Sequence, residues 1–285
     1  MRIGNTTRVG RVEGHVQGHQ PTNPRTHARS GTCTICGRYA ELTFAHVPPK
    51  AAWNRGHFRR SVATSNREMK FDRGRDGGVG LYAHCEECRI LTSPWDDEYL
   101  RWAQAVARIA ISSPGLGQRT ALNLVAASAR PGRFARAAIA GLTSLTDGLR
   151  ASDPRFVDAV LTGACVPPTA DTELRFFLAV TESVAVPLIQ GSHRAEGVTV
   201  NLREGSVKSH RMVSAVSHFP PFSAILAYRA TEIHRTHRDC TDWLQYSPDE
   251  VVENFRITLP VVRLVEGAVA SVQPIAARAF EPGSI

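Results

Sequence analysis

Cys33-Thr34-Ile35-Cys36 and Cys85-Glu86-Glu87-Cys88 frame the stretch Glu41-Leu42-Thr43-Phe44-Ala45-His46-Val47-Pro48-Pro49-Lys50. Two Cys-x2-Cys pairs supply the four thiolates of a closed tetrahedral zinc site. Each pair makes a tight knuckle that aims two sulfurs at one ion, and the intervening chain need only return to the same place. A glycine-rich segment of this size cannot build much of a core, so metal-binding energy becomes folding energy. The spacing predicts one structural Zn2+ held by Cys33, Cys36, Cys85 and Cys88. Glu86 and Glu87 inside the second pair argue against a redox dithiol, because negative neighbours disfavour a thiolate. Cys165 and Cys240 stand apart and read as core residues.

The charge is distributed unevenly around that framework. The chain of 285 residues carries a net +8. Residues 1–75 hold 14 Lys/Arg against 4 Asp/Glu, a balance of +10, and the remainder is slightly acidic. The positive excess therefore lies on the segment with the first cysteine pair and His46. Such a segment attracts a polyanion, and nucleic acid is the usual one. Nothing in the sequence has the length and apolarity of a membrane span, and the polar N-terminus lacks a signal-peptide run. The expectation is an intracellular, cytoplasmic chain with no membrane association.

The organisation reads as α+β: a small zinc-stapled ββα-type module, a helical middle and a β-rich C-terminal region. Residues 1–30 read as a disordered basic tail, 31–112 as the zinc-bearing module, and 113–285 as a helical then β-rich domain. Residues 41–47 form a strand that Pro48-Pro49 ends. Ser93-Pro94 reads as a helix start followed by Asp96, Asp97 and Glu98, acids suited to the positive end of the helix dipole. Tyr99, Trp102, Val106 and Ile109 give that helix, running to about Ile111, one apolar face. Further helices are expected over 118–129, 132–149, 154–161 and 171–184, and strands over 197–202, 207–216, 222–228 and 255–264.

His46 follows the apolar strand and precedes two prolines that fix the backbone beside it. A histidine near neutral pKa can take a proton from water for attack on a phosphodiester. Its other readings are a packed histidine beside the zinc or a further ligand. Lys50, Arg55, Arg59 and Arg60 would contact flanking phosphates, positioning a nucleic acid rather than reading its sequence.

Taken together, Cys-x2-Cys, a strand ending in Ala-His-Val-x-Pro-Lys, and Cys-x2-Cys opening into a helix resemble the zinc-containing HNH nucleases of the His-Me finger, or ββα-metal, group. The resemblance covers residues 31–105. It implies that His46 is the general base, that the four cysteines are structural zinc ligands, and that Mg2+ or Mn2+ serves catalysis on DNA. Ala45 stands where many members carry an Asp metal ligand, and Arg89-Ile90-Leu91-Thr92 stands where many carry Asn or His. His57, His84, Asp96 or Asp97 could supply a catalytic ion, and the family's intermediate Asn could be Asn54 or Asn66. Two other expectations stand beside the nuclease: a catalytically degenerate module that binds nucleic acid or a protein, and a structural or assembly protein. The C-terminal region could carry a protein partner or a homo-oligomer contact. There, His234 and His237 near Cys240 could hold a metal but read as an exposed polar turn, and Phe219-Pro220-Pro221-Phe222 as entry to a core strand.

Overall fold

The structure is a computed structural model and describes residues 30–55, 61–63, 69–71, 77–112, 120–145, 149–150, 153–165, 174–181, 188–201, 206–219, 221–228 and 236–262. The expected tail over 1–30, except Ser30, lies outside them, as do His57, Arg59, Arg60, Asn66 and His234.

The N-terminal part is a three-stranded antiparallel sheet, order β1-β2-β5, from β1 (Ser30–Thr32), β2 (Tyr39–His46) and β5 (Gly80–Cys85). A small hairpin of β3 (Ser61–Ala63) and β4 (Met69–Phe71) lies between them in sequence. Helix α1 (Glu86–Thr92) starts directly after Cys85, one 3-10 turn (Ser93–Trp95) follows, and α2 (Asp96–Ser112) continues. The helix start expected at Ser93 thus moves back to Glu86, and Pro94 sits inside a turn joining two helices. With no amide hydrogen of its own, Pro94 fits the first positions of that turn. The face expected of α2 holds: Tyr99, Trp102 and Val106 are buried and Ile109 packs beside them.

A larger sheet runs β6-β12-β7-β10-β9-β8, with β11 also on β7. It comprises β6 (Ala121–Ala129), β7 (Leu174–Thr181), β8 (Leu188–Asn201), β9 (Ser206–Phe219), β10 (Phe222–Tyr228), β11 (Arg238–Asp239) and β12 (Val252–Val262). Helices α3 (Pro131–Thr143) and α4 (Pro154–Leu161) accompany it. Most pairings are antiparallel, and β12 meets β7 in parallel at Val261 and Val262. Strands β8, β9, β10 and β12 include the four C-terminal runs expected, apart from residue 202 of the first and the last two residues of 255–264.

Two of the expected helices are strands. Residues 118–129 contribute β6, whose Leu122, Leu124 and Ala126 alternate with more exposed neighbours, a period of two. Residues 171–184 contribute β7, Leu-Arg-Phe-Phe-Leu-Ala-Val-Thr, buried on nearly every residue between neighbours on both sides. A continuous apolar run shows no period, so length and aromatic content must decide, and eight residues with two phenylalanines favour a strand. Phe219 and Phe222 face each other across the β9–β10 turn and are both buried, as the core-entry reading expects.

One buried cluster extends from Cys33, Cys85 and Cys88 through α2 and α3 to Leu259. Its centre is aromatic. The Phe134 ring stacks on Tyr99 at 5.3 Å and meets Trp102, Phe222 and Trp243 at 4.7, 5.3 and 5.9 Å. Offset and edge-on pairs of this kind add to burial. Glu98 is buried beside it, accepting from Trp102 Nε1 at 2.7 Å, Arg101 Nε at 3.1 Å and the Arg130 amide at 3.0 Å. Burial opposes its charge, yet these donors hold the carboxyl below its ordinary range. Arg136, fully buried, donates to the carbonyls of Gly132, Tyr246, Ala164 and Leu244 at 2.7–3.3 Å. It ties α3 to the segments flanking it through carbonyls, with no carboxylate partner among the described residues.

His237 is buried, not in the exposed turn expected of it, and it joins a polar node. Ser223 Oγ lies 2.5 Å from His218 Nδ1 and 2.6 Å from His237 Nε2. Cys240 is buried, as expected, whereas Cys165 is exposed and not a core residue. Burial, aided by His218, pushes His237 down to about 4. The unfolded chain takes up that proton near 6.5 and the folded chain only near 4. Stability from this group is therefore full above about 6.5 and is lost as the pH falls toward 4, by up to about 3 kcal/mol. Urea midpoints measured from pH 7 to 4.5 are expected to fall less steeply in His237→Gln than in the parent chain. Parallel slopes would remove His237 from the acid sensitivity.

Candidate metal centre and the His46 strand

The four cysteines of the sequence framework come together. The sulfurs of Cys33, Cys36, Cys85 and Cys88 all lie within 4.8 Å of one another. Cys36 Sγ and Cys85 Sγ are 3.8 Å apart, and four ligands at about 2.3 Å around one zinc ion have edges of about 3.8 Å. The donor set and its size therefore suit a metal ion such as zinc.

Local geometry explains how the pairs meet. The first knuckle closes through the Gly37 amide donating to Cys33 O at 2.9 Å, and Gly37 has φ of +73°, a backbone that favours glycine. The Thr34 amide donates to Ala83 O at 2.9 Å and binds the knuckle to β5. The Cys85 amide points at Cys33 Sγ, 3.4 Å away. Cys88 lies one turn into α1, so the second pair straddles a strand–helix junction.

Charge around the sulfurs is uneven. Burial pushes the thiols of Cys33 and Cys88 up, and the neighbouring Cys33 adds to the effect at Cys88. Burial also opposes ionisation of Cys36, but Arg38 Nε donates to its sulfur at 3.4 Å and brings that thiol down to about 6. Thiolates this close cannot all ionise unaided, and a divalent cation is what permits it. Arg38 also pairs with Glu87, clasping the first knuckle to α1, while Glu86 pairs with Arg89. The two acids of the second pair are thus paired with arginines.

Other residues fasten the module to the large sheet's helical layer. Arg150 donates to Ile35 O in the first knuckle and to Asp158 Oδ1 of α4 at 2.7 Å. His84, one of the residues offered for a catalytic ion, is buried with Nε2 2.8 Å from Ser144 Oγ, just after α3. Burial pushes it down to about 4. It acts as a docking contact and is not placed to serve an ion beside His46. Asp96 and Asp97 occupy the first turn of α2. Burial, with the Asp97 charge adding, pushes Asp96 up to about 7. Among the described residues, no group of three or more His, Cys, Asp or Glu other than the four cysteines could hold an ion.

His46 ends β2 opposite Gly80 of β5, half-buried. Its Nε2 lies 3.1 Å from Gly77 O. A carbonyl only accepts, so Nε2 carries the proton and Nδ1 keeps its lone pair. Burial lowers the pKa of the ring, the Gly77 contact opposes that, and the Lys50 charge lowers it further. A neutral imidazole with one free acceptor is the form a general base requires. Lys50 and Arg55 are exposed.

The backbone just after Gly77 is held in place at Val79. Asn54, fully buried, donates Nδ2–H to Pro48 O and Val79 O, both at 2.7 Å, and accepts the Val79 amide at 2.6 Å. The Val47 amide donates to Val79 O at 3.0 Å. The loop after His46 and the loop before β5 are therefore one clamped unit. Gly78 has φ of +93°, and a Cβ there would stand 2.0 Å from Asn54 O. Of the two asparagines left open by the sequence, Asn54 is tied to the loop after His46, and Asn66 lies outside the described residues. Its six-residue distance from Pro48 carries no pattern that could have selected it.

Compared with protein-family models, curated proteins and solved structures, the chain matches none. No helix among the described residues is long and apolar enough to cross a membrane.

Proposed function

We propose that the chain is a metal-dependent, HNH-like endonuclease that hydrolyses phosphodiester bonds in DNA. On this reading β2, β5 and α1 form its ββα unit, stapled by structural Zn2+. The observation that carries the proposal is His46: an imidazole whose Nε2 meets Gly77 O, whose pKa burial lowers, and whose Nδ1 has no partner among the described residues, at the end of the strand that pairs with β5. Nδ1 would take a proton from an attacking water, and the new phosphorus–oxygen bond would form as the leaving oxygen departs. Lys50 and Arg55, exposed on the same loop, would hold flanking phosphates. Arg59 and Arg60 extend the basic run in sequence.

Mg2+ or Mn2+, the ion the resemblance implies, would stabilise charge at the phosphate. The described residues assemble no ligand set for it beside His46. That observation favours a second reading, a degenerate module that binds nucleic acid or a protein partner without cleaving.

A plasmid-nicking assay on zinc-loaded protein with Mg2+ or Mn2+ decides between them. The expected result is metal-dependent nicking that falls about 100- to 10,000-fold in His46→Ala, the usual range for losing a general base. Absence of nicking from folded protein under either ion would select the binding module.

A further inference from the structure

Beside His46 the sheet carries an aromatic row. Phe44 and Tyr82 are partners across β2 and β5, with ring centroids 5.4 Å apart, and Phe44 meets the His46 ring at 4.9 Å. Phe44 is 41% exposed and Tyr82 50%. Gly80 makes room for this arrangement: a Cβ there would stand 2.5 Å from the Phe44 ring. Adjacent large rings left in water mark a surface that meets a partner.

Charge selects the partner. Between Phe44 and Phe71 the sequence carries six Lys/Arg and one acid, Glu68. Lys50 acts electrostatically on the His46 ring at the end of the row. A ligand that matches both features presents flat π-faces and a polyanionic backbone. In a duplex the base faces are stacked on one another, whereas unpaired bases offer theirs to protein rings. We infer that Phe44 and Tyr82 form a stacking platform for unpaired nucleobases, bringing a single-stranded nucleic acid across His46. The inference rests on the nuclease reading only for what happens at His46; the binding stands on the rings and the charge.

The test uses the full zinc-loaded chain without Mg2+, and fluorescence anisotropy with a labelled single-stranded DNA oligonucleotide, its duplex, and an RNA of the same sequence. The single strands are expected to bind at least about tenfold more tightly than the duplex. Phe44→Thr/Tyr82→Thr is expected to weaken single-strand binding by about ten- to a hundredfold, as loss of one stacked base does. Duplex affinity and zinc content should be unchanged, and Tyr82→Trp should retain tight binding. The RNA arm shows which sugar the platform accepts. Equal losses on duplex and single strand, or no loss on either, overturn the platform; the second result would leave the rings to a protein partner. The two readings fail separately. Ring-sensitive single-strand binding without nicking would sink only the nuclease. Nicking indifferent to strandedness and to both ring substitutions would sink only the platform.

Discussion

Cys88→Ser is expected to abolish metal binding, from one zinc per chain to none, and to unfold the β1-β2-β5 sheet. The apparent free energy of a structural four-ligand zinc site is about 10–16 kcal/mol near neutral pH. Whole domains are stable by only about 5–15 kcal/mol, so loss of the ion outweighs anything else this sheet can offer. Its own apolar contribution is small: Cys33, Ile35, Leu42, Ala83, Cys85 and Cys88 are buried, and three of these six belong to the cysteine cluster. Cys88 also lies in the first turn of the helical run that leads through α1 into α2, where Trp95, Tyr99 and Trp102 enter the common core. The damage should therefore spread beyond the knuckles. Hydrogen exchange would show it as lost protection in β2 and β5 first and a weaker loss in α2. Elemental analysis gives the stoichiometry directly. Protein purified under reducing conditions with no bound metal, and a Cys88→Ser variant with unaltered melting, would together refute the assignment.

This centre was legible in the sequence because its information is local. Two Cys-x2-Cys pairs fix four ligands whatever the chain does between them, and the structure brings all four together. The α2 face was legible for a similar reason, since Tyr99, Trp102 and Val106 repeat with the helix itself. The failures have the opposite character. β7 is buried on nearly every residue because β10, β11 and β12 all pair with it, a fact of topology that leaves no alternation to read. β6 does alternate, but with Ala and Ser at half its positions the amplitude is weak and helix propensity outweighs it. The Arg136–Ala164, His84–Ser144 and Arg150–Ile35 contacts join residues 28 to 115 positions apart, and no spacing rule reaches that far. His237 shows the same limit from another side. Its polar surroundings in sequence suggest exposure, whereas β9 and β10 bring His218 and Ser223 against it.

The same distinction governs His46. Its strand and the prolines after it were readable, but what makes it chemically specific is a carbonyl 31 residues away. That carbonyl lies two residues before Val79, which Asn54 holds, and Asn54→Ala is expected to cost about 3–5 kcal/mol. Three hydrogen bonds are lost, each worth about 0.5–1.5 kcal/mol net, and the groups left behind make the larger part of the penalty. Pro48 O loses its Asn54 partner in a buried position and the Val79 amide in a half-buried one, while Val79 O keeps the Val47 amide. Asn54→Asp should be no milder: the carboxylate could still accept from Val79 N but would face two carbonyl oxygens where the amide donated. Loosening this clamp frees Gly77, two residues from Val79, so the Nε2–H form of His46 should lose its advantage. Nitrogen-15 spectra of the imidazole would then show a mixed tautomer in Asn54→Ala where the parent chain shows one, at a temperature where both remain folded. A free energy of urea unfolding within about 0.5 kcal/mol of the parent, or an unchanged tautomer ratio, would break the link between Asn54 and His46. Nicking should fall with the fraction of His46 that keeps Nδ1 free, which ties the activity to the clamp rather than to the histidine alone.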